Sequence, residues 1–457
     1  MTVGAVIAIV LILMLALLLL RVPVAVSLGV SGALGLVALR GINHTTLELG
    51  ATPFSETATF SLTIIPMFIL MGMFAVRANV ADYVFKIADR ILGRFPGGLG
   101  IATVAASAGF SAVSGSSIGT AATMARLSVS EMRAAGYPAS MATALVAVAG
   151  TLGSMIPPST FLVLYAILAQ VSVAEMLAAG IVPGILSAIA YIVWIMYTGW
   201  RMQRDNQVVN EADSVQGALT EASGIAAQQR AKTPLGQLPW RGLVYIIILF
   251  AIVLGGMYSG IFTATESAAF GAIAAVIILL VEVRKEGWKG IWDGLTTALQ
   301  NTASTTAMVF FIVIGSGILS SFFIAARVPN MITEAVLSWD MPARLAMLIL
   351  LLSLIPLGMV LESLSLLMIS VPLLLPVALE FGFEPIWLGI LIVKFIEIGM
   401  VTPPVGINAF VVAGTTGIRS ETVFRGIMPF FVLDLILIAV FYFVPDLVLY
   451  LPSLVQH

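Results

Sequence analysis

The sequence predicts an all-α polytopic membrane protein built as an inverted repeat, with two opposed re-entrant hairpins and two broken helices. Three observations carry this. The chain of 457 residues is 60% hydrophobic and only 10% charged, where soluble domains carry about 25% charge; its mean hydropathy is +1.10. Lysine and arginine gather on one side of the spans that such a composition requires. Two consecutive prolines interrupt apolar helices at matching places in the two halves, in GSMIPPS (Gly153 to Ser159) and GMVTPPVG (Gly399 to Gly406).

Composition also excludes. A formal net charge of -2 gives no case for a nucleic-acid partner. Without cysteine there is no disulfide, thiol nucleophile or thiolate metal site. Two histidines, His44 and His457, cannot build a histidine-rich metal centre.

About 20 apolar residues cross the hydrocarbon. The first twenty, MTVGAVIAIVLILMLALLLL, lack a basic start and a small-residue cleavage site, so they read as a retained span rather than a signal peptide. Further spans are expected at 22–39, 60–76, 140–169, 175–199, 241–258, 262–281, 302–323, 386–415 and 427–445. The regions 97–135 and 343–381 each hold two short helices around a polar or Gly-rich break, SGSS at 114–117 and GMVLESLS at 358–365. These read as hairpins that enter and leave on one side. With the N-terminus outside, Arg40, Arg327 and Arg344 are outer and Arg126 and Lys394 embedded; the other sixteen of the 21 basic residues are inner. Making either hairpin a full crossing scrambles that bias. Segments 80–94 and 326–340 are amphipathic and too polar to cross, and are expected as surface helices at opposite interfaces. The polar stretch 203–239 reads as a cytosolic linker between halves.

A shift of 246 positions lays the first half on the second. Pro96 meets Pro342, Gly136 meets Gly382, Gly153 meets Gly399, and Pro157 and Pro158 meet Pro403 and Pro404. The same G-I-x-P then recurs at 180–183 and 426–429. An odd number of crossings per half, five, points the two copies in opposite directions, the plan of many secondary transporters.

A helix broken inside a bilayer frees backbone groups that cost several kcal/mol each if unpaired. Carbonyls around Gly153–Ile156 and Gly399–Thr402, with the hydroxyls of Ser114, Ser116, Ser117, Ser159 and Thr402, form an oxygen-only donor set suited to Na⁺. The competing account makes each Pro-Pro a kink and SGSS a small-residue packing seam. Glu362, an intramembrane carboxylate, is expected to complete a cation site, take up a proton or pair with Lys394. Lys394 either meets an anionic substrate or pairs with Glu397 or Glu362, and Asn408 is a candidate ion or substrate contact. Thr265 and Glu266 fit an interfacial role as well as any other, and Trp194, Trp200 and Trp240 mark interfaces. No phosphate loop, Ser-His arrangement or HExxH stands in a plausible site, so neither direct ATP coupling nor an enzyme is expected.

These hairpins and prolines carry a family resemblance. RVPVAVSLG at 21–29, IIPMFILMG at 64–72, GRFPGGLG at 93–100 and SAVSGSSIGTAAT at 111–123 are followed by GTLGSMIPPS at 150–159, AAGIVPG at 178–184, LESLSLLMISVPLLLP at 361–376 and GMVTPPVGIN at 399–408. Over essentially its whole length the chain resembles the large membrane (M) subunit of tripartite ATP-independent periplasmic (TRAP) transporters. The basic-residue bias, with five crossings per half, places both termini on the periplasmic side. The resemblance implies an elevator-type carrier in the bacterial inner membrane, importing an organic acid with Na⁺. It implies two partners, a small four-helix membrane subunit of the Q type and a periplasmic substrate-binding protein of the P type. Carried onto this chain, the mobile domain is 97–170 and 343–416; 1–96 (with the inner arm), 171–342 (with the linker and outer arm) and 417–457 form the scaffold. Its sodium regions correspond to Ser114, Ser116 and Ser117 with Gly153 and Pro157, and to Gly358 and Glu362 with Gly399, Thr402 and Pro403. Ser159, Lys394 and Asn408 are the candidate substrate contacts. The alternative is a stand-alone sodium/carboxylate symporter with no binding protein; a solute channel and an intramembrane enzyme fit the hairpin motifs less well.

Overall fold

The computed structural model describes residues 2–209, 236, 238–338, 341–359 and 361–455, and these are helical throughout, with no strand among them. In chain order the first half comprises Val3–Leu19, Val24–Arg40, Ile42–Thr57, Ile64–Arg77 and the amphipathic arm Val80–Leu92. A first hairpin follows, Gly98–Ser114 and Ser117–Ala134, then a broken helix, Ala139–Met155 and Thr160–Ala169, and a long closing helix, Val173–Val209. The second half runs from Arg241 to Tyr258 with a π-helical turn at Ala251–Gly255, then Ala264–Val283, Gly287–Ala325 and the arm Val328–Leu337. Its hairpin limbs are Ala343–Leu352 with Leu354–Gly358, and Ser363–Glu380. Its broken helix is Pro385–Val401 and Ile407–Thr416, and Ser420–Phe443 and Asp446–Val455 close the chain.

Among the described residues, six helical stretches are long and apolar enough to cross a bilayer, or seven if Ala139–Met155 and Thr160–Ala169, bent by 41° at their break, count as one span. The protein is therefore a multi-pass membrane protein. One of the six, Ala264–Ala325, has 62 residues. At 1.5 Å per residue it would reach about 93 Å if straight, three times the hydrocarbon thickness. It reverses instead at Gly287, where φ is +74°, a conformation that glycine adopts without a Cβ penalty. Beyond the turn Gly294 lies against Leu279, so the stretch supplies two passes, near the expected 262–281 and 302–323.

Some expected boundaries move. Val173–Val209 carries helix past the expected linker start at 203, and most of that linker lies outside the described residues. Two helices had no counterpart in the sequence reading. Ile42–Thr57 is half polar and shares no strict apolar stripe, and Asp446–Val455 is short. Under the 246 shift Ile42–Thr57 falls on 288–303, the opening turns of Gly287–Ala325. Ser363–Glu380, read from sequence as a hairpin limb, is by length and apolarity alone able to cross.

The two broken helices sit at the centre. Every residue from Ala142 to Met155 and from Ile386 to Val401 is buried, the signature of a helix surrounded by protein rather than facing lipid. Contacts between halves are reciprocal. Thr160–Ala169 packs on Ser363–Glu380, and Ile407–Thr416 packs on Ser117–Ala134. Likewise Val24–Arg40 packs on Gly287–Ala325 and Ala264–Val283 on Ile64–Arg77.

The first arm is pinned by one carboxylate. The hydroxyls of Tyr83 and Tyr245 each donate to Glu282 at 2.7 Å, and Arg241 pairs with the same group at 3.3 Å while lying 4.7 Å from the Tyr83 ring centroid. Burial, then the bond to Glu282, pushes the Tyr83 hydroxyl above its ordinary pKa. Glu282→Ala leaves two hydroxyls without their acceptor and Arg241 without its counter-ion, though Arg241 still donates to the Tyr83 oxygen at 3.1 Å. Bonds to a charged group contribute about 1.5–3 kcal/mol, so a lowered thermal unfolding temperature of the purified protein is expected, with Tyr245→Phe showing a smaller loss.

Candidate functional site

Each hairpin tip meets the break in the broken helix of its own half. In the first half the helix Ala139–Met155 stops where Pro157 and Pro158 withdraw two backbone donors. A Cβ built on Gly153 would lie 3.0 Å from the carbonyl of Ser116 and 3.1 Å from the Ser117 nitrogen, so glycine is what allows helix and tip to touch. The Ser117 and Ser154 hydroxyls are hydrogen-bonded to each other, and the Ser159 hydroxyl donates to the Ser154 carbonyl at 2.5 Å. Ser116 caps the second hairpin limb by accepting from the Gly119 nitrogen at 3.2 Å, and Ser114 and Thr120 share a 2.9 Å bond. The sequence thus brings Ser116, Ser117, Gly153 and Ser159 to one seam, flanked in the chain by Ser114 and Pro157; Ser114 and Ser116 are half-buried and the other four buried.

The second half repeats the layout with different chemistry. A Cβ on Gly399 would stand 2.7 Å from the Gly358 Cα. Glu362, 246 positions beyond Ser116, caps its limb in the same way, its Oε2 accepting from the Ser365 nitrogen at 3.1 Å and hydroxyl at 3.2 Å. The Thr402 hydroxyl donates to the Ile398 carbonyl at 2.5 Å. Both Pro-Pro bonds, 157–158 and 403–404, are cis. Pro157 and Pro158 are buried, whereas Pro403 and Pro404 are exposed. Asn408 bridges the halves, its amide donating to the Ala147 carbonyl at 3.4 Å. Its Oδ1, like the hydroxyls of Ser111 and Ser363, is buried with no hydrogen-bond partner among the described residues. These are uncommitted hard oxygens of the kind a small alkali cation takes.

Lys394 stands apart from both seams. Its ammonium is 2.9 Å from Asp434 Oδ1 and 3.1 Å from Glu397 Oε2, and its side chain is 1% exposed. Tyr191 donates to the same Asp434 oxygen at 2.7 Å. The Lys394–Glu397 pair is thus present, while Glu362 is engaged with its own helix. Asp434 and Tyr191 were missed by sequence reasoning. The signal was available for Asp434, a lone carboxylate in FFVLDLILIAV, because an intramembrane acid demands a partner. Nothing in the sequence singles out Tyr191.

Buried hairpin tips closing on interrupted helices, in a multi-pass helical protein, define a membrane transporter rather than an enzyme. A family model described as "Tripartite ATP-independent periplasmic transporter, DctM component" matches residues 11–447, and the chain belongs to that family, whose members are transporters. It is 32% identical over 452 residues, with 95% of each chain covered, to the C4-dicarboxylate TRAP transporter large permease protein DctM of Vibrio cholerae. It is 30% identical over 427 residues, covering 93% of this chain and 94% of the other, to the protein of that name from Pseudomonas aeruginosa. It is also 30% identical over 396 residues, 86% of this chain and 87% of the other, to the sialic acid TRAP transporter large permease protein SiaM of Vibrio cholerae. Among solved structures, the YdaH transporter of Alcanivorax borkumensis shares the fold with a TM-score of 0.59 at 13% identity, covering 89% of both chains.

Proposed function

We propose that this chain is the carrier subunit of a Na⁺-coupled uptake system for an organic acid, working by an elevator movement and fed by a periplasmic binding protein. The observation that carries it is the doubled seam: Gly153 against Ser116–Ser117 and Gly399 against Gly358, each beside a Pro-Pro break. Irregular backbone at membrane depth is tolerated where protein or a bound ion satisfies it. One seam in each half, with the helix glycines Gly153 and Gly399 related by the 246 shift, fits two opposed re-entrant hairpins in an inverted repeat, with a gate on each face and both termini periplasmic. Relatives named for C4-dicarboxylates and sialic acid support an acidic substrate. Membership of a tripartite family supports a four-helix Q-type partner and a P-type binding protein.

The moving body must keep its buried charges together. Separating Lys394 on Pro385–Val401 from Asp434 on Ser420–Phe443, or Asp434 from Tyr191 on Val173–Val209, would strand buried ionic groups. We therefore assign Val173–Val209 and Ser420–Phe443, which the family resemblance placed in the scaffold, to the mobile unit with both hairpins and both broken helices, and leave the helices before each arm as the frame.

The test is uptake into vesicles holding this chain and its membrane partner, with a loaded binding protein outside. Accumulation is expected only with an inward Na⁺ gradient, since one charge falling through 100 mV contributes about 2.3 kcal/mol. Glu362→Gln, which keeps the cap acceptor and removes the charge, is expected to raise the Na⁺ concentration for half-maximal uptake. Unchanged Na⁺ dependence in that variant removes Glu362 from the ion site. Efficient uptake by this chain alone would favour the stand-alone symporter.

A further inference from the structure

The turn between the two passes of Ala264–Ala325 presents an exposed basic and aromatic surface. Its sequence from Arg284 to Asp293 is RKEGWKGIWD. Both acids are already engaged by one residue of another helix: Arg77 lies 3.5 Å from Glu286 and 3.3 Å from Asp293. Arg284, Lys285 and Lys289 are exposed and have no ion pair among the described residues. Beside them Trp288 and Trp292, one turn apart, are 77% and 61% exposed, and Leu299 continues the same stripe.

We propose that this turn is a binding site for anionic phospholipid, the phosphate headgroup held by Arg284, Lys285 and Lys289 and the adjoining acyl chain by Trp288 and Trp292. The charge arithmetic selects the ligand. With Arg77 the turn carries four cations, Arg77, Arg284, Lys285 and Lys289, against two acids, Glu286 and Asp293, a net charge of +2, and both acids are turned toward Arg77 rather than toward the other three cations. Tryptophan favours the headgroup level, where an apolar ring and a polar N–H are both satisfied. Basic residues at that level attract anionic lipid. A protein partner is disfavoured, because interface cores are depleted in lysine and burying three unpaired cations is costly. Which leaflet supplies the lipid rests on the topology proposed above, where this turn is cytoplasmic; the binding itself does not.

Native mass spectrometry of the purified full chain, titrated with phosphatidylglycerol or phosphatidylcholine of matched acyl chains, tests this. Tighter retention of phosphatidylglycerol is expected, with a loss of about tenfold or more in Arg284→Gln/Lys285→Gln/Lys289→Gln and no change in phosphatidylcholine retention. Trp288→Ala/Trp292→Ala is expected to weaken both lipids. Equal retention of the two lipids by the wild type, or undiminished phosphatidylglycerol binding in the triple variant, overturns the proposal. The chain has no cysteine, so Lys289→Cys gives a unique label site. Its protection from maleimide by the membrane partner alone, in lipid-free detergent, would make the surface a protein interface and also overturn it. Labelling in oriented vesicles reports sidedness separately, so an error in topology is distinguishable from failure of lipid binding.

Discussion

Lys394→Met is expected to cost about 3–5 kcal/mol of stability, because it strands two buried carboxylates with no cation. The wild-type cluster holds one ammonium against Asp434 and Glu397, with side-chain exposures of 1%, 3% and 2%. Methionine matches the length of the lysine stem but leaves both acids to be neutralised or hydrated inside the protein. Asp434→Asn should be much milder. The ammonium keeps Glu397 at 3.1 Å, and the asparagine carbonyl can still accept from the Tyr191 hydroxyl. Thermal unfolding in detergent, read alongside purified yield, should order the proteins as wild type, Asp434→Asn, then Lys394→Met well below. The ordering also separates the two roles open to Lys394 from its sequence. A substrate contact would leave Lys394→Met folded as wild type, with a raised KM and an unchanged melting temperature. A lock within the moving body makes it unstable whether or not substrate is present.

The sequence exposed the breaks because proline and glycine act locally: a missing donor or a missing Cβ has its effect wherever the residue lies. Gly153, Pro157, Gly399 and Pro403 could therefore be located before any contact was known. The partners were partly legible. Ser116 and Glu362 stand 246 positions apart and cap equivalent limbs, so the repeat alone placed them correspondingly. Asp434 and Tyr191 were not legible as partners of Lys394, because a side chain on one helix gives no local sign of the helix opposite it. The repeat is silent there too: the positions matching Lys394 and Asp434 are Val148 and Ala188, both apolar. Ile42–Thr57 escaped for another reason. Pro53 and a half-polar composition resemble a loop, and its helix depends on packing against Gly287–Ala325 and Val24–Arg40, an instance of tertiary context overriding propensity.

Gly399→Ala is expected to cut transport severely, to a residual but measurable rate, while sparing the fold. The added methyl would sit 2.7 Å from the Gly358 Cα and 2.8 Å from its carbonyl carbon. Both are backbone atoms, so no rotamer change relieves the overlap, and hairpin and broken helix must part. Overpacking of this kind costs about 1–3 kcal/mol, a loss that a large buried core can absorb but a close backbone-to-backbone seam cannot take up without opening. Gly153→Ala should follow the same course less severely, its methyl meeting Ser116 and Ser117 atoms at 3.0 to 3.1 Å. Gly414→Ala supplies the control. It lies on Ile407–Thr416, C-terminal to the second break, with nothing within 4 Å of the added atom, and should transport normally while gaining up to about 1 kcal/mol of helix stability. Uptake measured against Na⁺ concentration in the three variants discriminates the causes. If the seam holds the ion, Gly399→Ala and Gly153→Ala shift the Na⁺ curve to higher concentration before capacity falls. If Gly399→Ala keeps the wild-type Na⁺ curve and loses only maximal rate, the contact guides movement of the hairpin and the ion binds elsewhere.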